Sequence, residues 1–426
     1  MRRISVIGAG QAGLMLAHSL VRQGYEVTLY ADRTADQWLT ESRPTGTAYL
    51  YAESLDIERE LGIDHWSDTM HAGHGFYTSF ASPTGDAPMN VIGRTQRPGG
   101  AVDQRLKFHR WMIDLERCGG HIVIESVTAA RAQEIAAASD LTILAAGKGD
   151  IGKLIPRDAQ RSVYSAPQRH IAMVTVRGVR GWDDEIGFTP VRFTALGPVG
   201  DIFWVPFTHK TAGSVWSAVI EARPGGPLDM FAACSSGEQA AARLRQAIQQ
   251  LAPWSFAPLA GMEYVSEDPF AWLAGVFAPS VRSAFGTLPS GDLLMPLGDT
   301  AITFDPIGGQ GGNNASRHAQ FVAQAIVAHA DRPFDAQWMK STCDAYWEFH
   351  GRYAYRFNNL MLEPPTPSLM ELMAACSRDR DLADGLFVAN IARPKGFFPW
   401  IEDIQATRDV IERFNARAGS VRGPTR

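Results

Sequence analysis

Cysteine is scarce in this chain: four residues among 426, at Cys118, Cys234, Cys343 and Cys376. They stand far apart and never at C-x-x-C spacing. That excludes a disulfide framework and a zinc ribbon, and makes a reducing compartment, the cytoplasm, the expectation. No run of about 18 apolar residues occurs, so no transmembrane helix and no membrane partner are expected. There is no surplus of positive charge either. Forty Lys and Arg stand against 45 Asp and Glu, a net charge of −5, and no basic stripe offers itself to a nucleic acid. Grouped metal ligands are also missing: His71 and His74 have no neighbouring set to complete a site, so no metal is expected. Arg2-Arg3 before an apolar stretch imitates an export signal. Gly8, Gly10, Gln11 and Gly13 break that stretch, which reads instead as the first strand of a folded domain.

What is present suffices for a large enzyme fold. Hydrophobic residues make up 45% and charged residues 20%, and the length allows two to three domains, or one fold with an insertion. Ile4 to Ile7 is a short β-branched run of the kind buried in parallel sheets. Gly8-Ala9-Gly10-Gln11-Ala12-Gly13 follows at once, then Leu14, Leu16, Ala17 and Leu20 at helical spacing up to Gly24, then a second strand from Tyr25 to Tyr30. This is a compact β-α-β unit. Its glycines have separate tasks: Gly8 permits a tight turn, Gly10 admits a pyrophosphate close to the backbone, and Gly13 lets helix and strand approach. The helix start offers unpaired N–H groups to phosphates. Asp32, 19 residues after Gly13, is the acid expected on a ribose. Dinucleotide binding is the reading.

Further on, Ser54–Leu61 and Asp103–Cys118 read as helices, and His121–Ser126 and Asp140–Ala146 as strands. His71–Arg97, rich in Gly, Pro and aromatics, reads as short strands and loops. From His170 to Pro224 the pattern alternates as an antiparallel sheet inserted into the nucleotide domain. Glu238–Leu251 is a helix, Leu293–Leu297 a strand, Ala315–Ala330 a long helix, and the remainder mostly helical. Gly147-Lys148-Gly149-Asp150-Ile151-Gly152 repeats the glycine spacing after a strand. Pro156 arrives before a useful helix can form, so one dinucleotide site is expected, not two. A third signal is Leu297-Gly298-Asp299 followed by Asp305-Pro306-Ile307-Gly308-Gly309-Gln310-Gly311-Gly312-Asn313-Asn314. An acid at a strand end can accept hydrogen bonds from a polyol such as a ribityl chain. A glycine-rich turn into a helix aims N–H groups at a developing negative charge, such as that of a reduced flavin. Of the remaining residues, His18 reads as packed on the first helix, Cys118 as a buried thiol, and Phe203, Trp204 and Phe207 as sheet core or pocket lining.

Together these segments resemble the flavoprotein monooxygenases of the para-hydroxybenzoate hydroxylase fold. Within it they resemble the oxygenase component of styrene and indole monooxygenases. Ser54 to Trp66, Ala101-Val102-Asp103-Gln104-Arg105-Leu106, Ala146-Gly147-Lys148, Ala166-Pro167-Gln168-Arg169 and Leu297 to Asn314 carry the likeness in order and spacing. The resemblance implies an α/β fold with a Rossmann-like FAD-binding domain (1–165 and 275–340), an inserted β-sheet substrate domain (166–274) and a helical C-terminal region (341–426). It implies a two-component enzyme. Reduced FAD arrives from a separate NADH-dependent flavin reductase, reacts with O2 to a C4a-hydroperoxide, and one oxygen atom passes to a small hydrophobic aromatic of the indole or styrene type. No side-chain nucleophile is expected.

Pro306 matches the family's proline beside the reactive edge of the flavin. Arg43 and Arg105 match basic positions near FAD. The candidate cofactor contacts are Gly8, Gly10, Gln11, Ala12, Gly13, Asp32, Arg33, Arg43, Arg105, Gly147, Asp299, Pro306, Gly311, Gly312 and Asn313. Gly46, Ala48, Leu50 and Gly99 align with substrate-signature positions, and His74 and Phe203 complete the candidate pocket. The small residues at those signature positions suggest a bulkier or substituted aromatic. A homodimer stays open. Two other readings remain: a single-component hydroxylase taking NAD(P)H directly, and a non-catalytic binder of the same fold.

Overall fold

The structure, a computed structural model, describes residues 2–81 and 87–422. The chain divides into two compact units, residues 1–69, 102–168 and 276–352 in one, and 70–101, 169–275 and 353–426 in the other.

The first unit is built on a six-stranded sheet. Its order is Gly286–Thr287, Leu293–Pro296, Leu141–Leu144, Arg3–Ile7, Glu26–Ala31, His121–Ile124. The last five run parallel, and the short first strand pairs antiparallel with its neighbour. Ile4, Val6, Ile7, Leu141, Ile143 and Leu144 are buried, as expected where helices cover both faces of a parallel sheet. Helices Gln11–Arg22 and Gly311–His329 pack on this sheet through Leu14, Leu16, Ala319, Val322 and Ile326. Helix Gln104–Arg117 is tied by polar bonds to the first helix and to the segment after helix Ala52–Glu60. His18 Nε2 donates to the Trp111 carbonyl at 2.9 Å, and Trp111 Nε1 donates to the Ile63 carbonyl at 2.7 Å. His18 is thus packed, as its place in the sequence suggested. Helix Ala129–Ala137, capped by Thr128, lies in a stretch for which the sequence suggested no element: alanine-rich and short, it presents little apolar periodicity.

The second unit carries an eight-stranded sheet. Glu263–Tyr264, His170–Arg177, Gly213–Ala222, Gly200–His209, Met89–Val102, Ala72–Phe80 and Pro190–Ala195 follow in that order, and Trp272–Gly275 also pairs with His170–Arg177. The stretch read as short strands and loops is therefore two long strands, Ala72–Phe80 and Met89–Val102, antiparallel from Phe80↔Met89 to Gly75↔Arg94. Glycine suits them because of close packing: a Cβ on Gly75 would fall 2.3 Å from the Gly93 carbonyl oxygen, and one on Gly93 would fall 2.7 Å from a methyl of Val388. These strands draw 70–101 into the sheet unit, whereas the sequence reading kept it with the nucleotide-binding part. The C-terminal segment 353–426 joins the same unit. There Arg169 and Arg223 both donate to the Leu362 carbonyl (3.4 and 3.3 Å) at the end of helix Arg352–Leu362, where the helix dipole favours cations. Trp204 and Phe207 are buried core. Cys118 is exposed rather than buried, and Cys376 is the buried thiol. No described helix is long and apolar enough to cross a membrane.

Burial pushes His318 and His350 down to about 3. In the unfolded chain both titrate near ~6.5, so between those values the unfolded chain binds more protons. Their contribution to stability is full above about pH 6.5 and falls as pH drops toward 3, by about 1.4 kcal/mol per pH unit for each group. Denaturant melts at about pH 7.5 and about pH 5.5 should show this loss. His350→Leu, with one such group fewer, should show a shallower slope; identical slopes for parent and variant contradict the assignment.

Candidate cofactor site at the carboxyl edge of the parallel sheet

The three glycines after the first strand are required for different reasons. Gly8 has φ +118°, and a Cβ there would lie 2.3 Å from the Ala145 carbonyl oxygen. A Cβ on Gly13 would lie 2.0 Å from the carbonyl oxygen of Gly8. Both are dictated by backbone packed on backbone. Gly10 is different: nothing stands within 4 Å of where its Cβ would be. The fold does not demand that glycine, and a ligand approaching the backbone would. The helix that follows has no capping side chain, so its first-turn N–H groups lack an intrahelical acceptor. Helices beginning after Thr34, Asp103, Thr128, Ser236, Asp335 and Thr366 are capped by those side chains.

A second turn meets this one. A Cβ on Gly298 would fall 2.7 Å from Cβ of Ala12, so the Gly298-Asp299 turn rests on the first helix start. The side chain of Asp299 remains 31% accessible. Further along, buried Asp305 accepts from the Ile307 N–H and shapes the turn that leaves Pro306 half-buried and Gly309 exposed. The long helix begins at Gly311, one turn earlier than its apolar spacing suggested, because glycines and asparagines carry no apolar signal. It too lacks a side-chain cap. Two uncapped helix starts and a half-exposed carboxylate thus gather at one sheet edge. This donor set fits a dinucleotide with an anionic diphosphate, a polyol chain and a ring that can carry negative charge.

Gln11 and Asn313, both expected among the cofactor contacts, are buried and spend their side chains within the protein. Gln11 Nε2 donates to Ser316 Oγ at 2.7 Å and to the Gly312 carbonyl at 3.2 Å, joining the two glycine turns. Asn313 Oδ1 accepts from Tyr51 N–H (2.9 Å) and Ser54 Oγ (2.8 Å). Its Nδ2 donates to the carbonyls of Tyr49 (2.8 Å) and Gly309 (3.0 Å). Arg105 is likewise 1% exposed, forked onto Asp103 at 2.9 and 2.7 Å and donating to the Ser42 carbonyl. The side chains of these three are engaged within the protein.

The remaining candidates divide between the units. Gly147, at φ +60°, offers its carbonyl to Thr300 Oγ1 at 3.2 Å. Asp32 directly follows the second strand and is forked by Arg33 at 3.0 and 2.6 Å, while Arg33 also covers the Trp38 ring. Arg43 is exposed. Ala48 and Leu50 do reach the second glycine turn: a Cβ on Gly312 would fall 2.9 Å from Cβ of Ala48 and 3.2 Å from Cδ2 of Leu50. Gly46 has φ +142° and open space around it. His74, Gly99 and Phe203 belong to the other unit. His74 is exposed, Gly99 is buried opposite Gly73, and Phe203 packs on Phe193 with centroids 4.5 Å apart. Sequence reasoning passed over Ser316, which has no signature inside a helix, and quoted Lys148 only as part of the family likeness, with no role of its own.

Comparison with known proteins is consistent with this geometry. A family model described as "Styrene monooxygenase A putative substrate binding domain" matches residues 147–257. A styrene monooxygenase from Pseudomonas fluorescens is 26% identical over 394 residues, covering 90% of this chain and 91% of that one. Among solved structures, the flavin-dependent brominase Bmp2 superposes with a TM-score of 0.60 at 14% identity, over 98% of this chain and 99% of that one. A flavoprotein/dehydrogenase from Cytophaga hutchinsonii reaches 0.64 at 13% identity, over 98% and 100%. The architecture is the FAD-binding fold of the para-hydroxybenzoate hydroxylase type.

The two kinds of glycine separate by substitution. Gly13→Ala must push a methyl against the Gly8 carbonyl and should lower the melting temperature of the protein by several degrees. Gly10→Ala should leave it within about a degree, since the methyl meets nothing. Similar melting shifts for both would remove the distinction.

Proposed function

We propose that this chain, similar over nine-tenths of its length to a styrene monooxygenase, is an FAD-dependent monooxygenase. It receives reduced FAD from a separate NADH-dependent flavin reductase in the cytoplasm. With O2 it epoxidises or hydroxylates a small hydrophobic aromatic of the styrene or indole type. The observation that carries the reading is the convergence just described: an open Gly10, two uncapped helix starts and Asp299 at one sheet edge, with Ala48 and Leu50 against the second glycine turn.

Bound reduced FAD would supply the electrons for activating O2. The chain supplies place and environment. The N–H groups of Gln11, Ala12 and Gly13 receive the diphosphate, Asp32 with Arg33 the adenosine ribose, and Asp299 the ribityl hydroxyls. The start of helix Gly311–His329 stabilises negative charge on the flavin ring. Asn313 and Gln11 hold these turns in register, and Arg105 braces the Ser42 carbonyl, beside Arg43. Pro306, half-buried between buried Asp305 and Ile307, presents an apolar ring without a proton donor at the reacting edge. Ala48 and Leu50 add apolar surface there, which keeps water from the reacting atoms.

One assay separates this reading from its rivals. The protein is mixed with FAD, NADH, O2 and styrene or indole, with and without a flavin reductase. Oxygenated product should form only in the complete mixture, and NADH should persist when the reductase is left out. Rapid NADH oxidation by the protein alone would make it a single-component hydroxylase. Flavin binding without product in either mixture would make it a binder.

Substrate size is testable at Ala48. Ala48→Phe enlarges the side chain that lies against Gly312 and should shift kcat/KM from substituted, bulkier indoles toward indole and styrene, by about tenfold in the ratio. The same enlargement at Gly46 is uninformative, because φ +142° strains any side chain there. An unchanged ratio in Ala48→Phe would take this segment out of the substrate site.

A further inference from the structure

Lys148 is a charged group at this edge with no assigned task. It follows Gly147, beyond the end of strand Leu141–Leu144. Its ammonium stands 3.6 Å from Oδ2 of Asp299 and 3.7 Å from the centre of the Phe277 ring, and its side chain is 40% accessible. The Asp299 distance is longer than a charge-assisted N–H···O bond of about 2.7–2.9 Å. The ammonium is attracted to the carboxylate without being bonded to it. The Gly298-Asp299 turn in turn rests on Ala12 at the start of the first helix. One partly exposed cation therefore stands beside the carboxylate that would take a ribityl chain, and beside the turn that touches the helix start suited to a diphosphate.

These two neighbours make different demands on Lys148. A ribityl hydroxyl donating to Asp299 competes with the ammonium for the carboxylate. A diphosphate brings anionic oxygens that a compact ammonium on a flexible four-carbon stem can follow. The Phe277 ring keeps the cation at this edge through its π face while leaving its N–H bonds free to turn.

We propose that Lys148 binds the diphosphate of the dinucleotide and is held near its place by Asp299 until the polyol takes that carboxylate. The proposal rests on the FAD reading above, since it concerns which part of that cofactor Lys148 recognises.

Riboflavin and FAD share the ring and the ribityl chain, and only FAD carries the diphosphate. Both are titrated, reduced and anaerobic, into the parent protein, Lys148→Met and Lys148→Arg by calorimetry. Lys148→Met should bind FAD about tenfold more weakly and riboflavin equally well or more tightly, its competitor for Asp299 being gone. Lys148→Arg should keep FAD affinity within about threefold of the parent. Unchanged FAD affinity in Lys148→Met overturns the proposal. So does an equal loss of both flavins, which would mean that Lys148 serves only to shape the turn. If the parent binds neither flavin, the FAD reading falls and this proposal with it, whereas parent binding with an indifferent Lys148→Met leaves the FAD reading standing.

Discussion

The carboxamide of Asn313 joins parts of the chain some 260 residues apart. Its oxygen holds the Tyr51 N–H and the Ser54 hydroxyl, and its nitrogen holds the carbonyls of Tyr49 and Gly309. Every direction in which the group can bond is used, and the residue is fully buried. Losing one such partner in the interior costs about 1–3 kcal/mol, because the other is left without water or a bond. The geometry of the second glycine turn, the start of the long helix and the position of Ala48 and Leu50 all follow from this junction. No aspartate could substitute: it has no N–H to give the two carbonyls.

Around that junction the structure replaces side chains with backbone. Gly8, Gly13 and Gly298 each stand where a Cβ would meet Ala145, Gly8 or Ala12 at less than 3 Å. The result is a sheet edge at which helix starts come close together with no side chain to cap them. Electrostatically this is an edge prepared for negative charge, and Asp299 is the exception that needs a cation or a hydroxyl nearby. The Lys148 ammonium stands 3.6 Å from that carboxylate.

The buried charges elsewhere have a different purpose. Arg105 with Asp103, and Lys107 with Glu58, are ion pairs almost wholly removed from water. Burial raises the carboxyl of Glu58 while Lys107 lowers it. Such pairs add little net stability, but removing one partner leaves an uncompensated charge. The cations of both pairs lie on the helix that follows strand Met89–Val102; Asp103 caps that helix, and Glu58 comes from helix Ala52–Glu60. A resemblance between Arg105 and a cofactor-contacting position is therefore met here by an arginine whose guanidinium is committed to Asp103 and Ser42.

Local sequence determined the elements whose signals are local. The β-α-β unit from Arg3 to Ala31 follows from an apolar run, three glycines at fixed spacing and a helical repeat of leucines. The absence of a second nucleotide fold after Gly147 follows from Pro156. Asp299 and the turn after it were legible as a strand end followed by glycines. Tertiary structure alone decided the rest. Gly75 and Gly93 look like loop residues until Val388 and a facing strand close over them. Asn313 looks like a ligand until Tyr49, Tyr51 and Ser54 arrive from far along the chain. Gly10 and Gly13 are the same letter in one motif, yet one faces open space and the other a carbonyl oxygen at 2.0 Å. The reason is general: a glycine in a sequence states what is missing, and only packing shows whether the protein or its ligand fills the place.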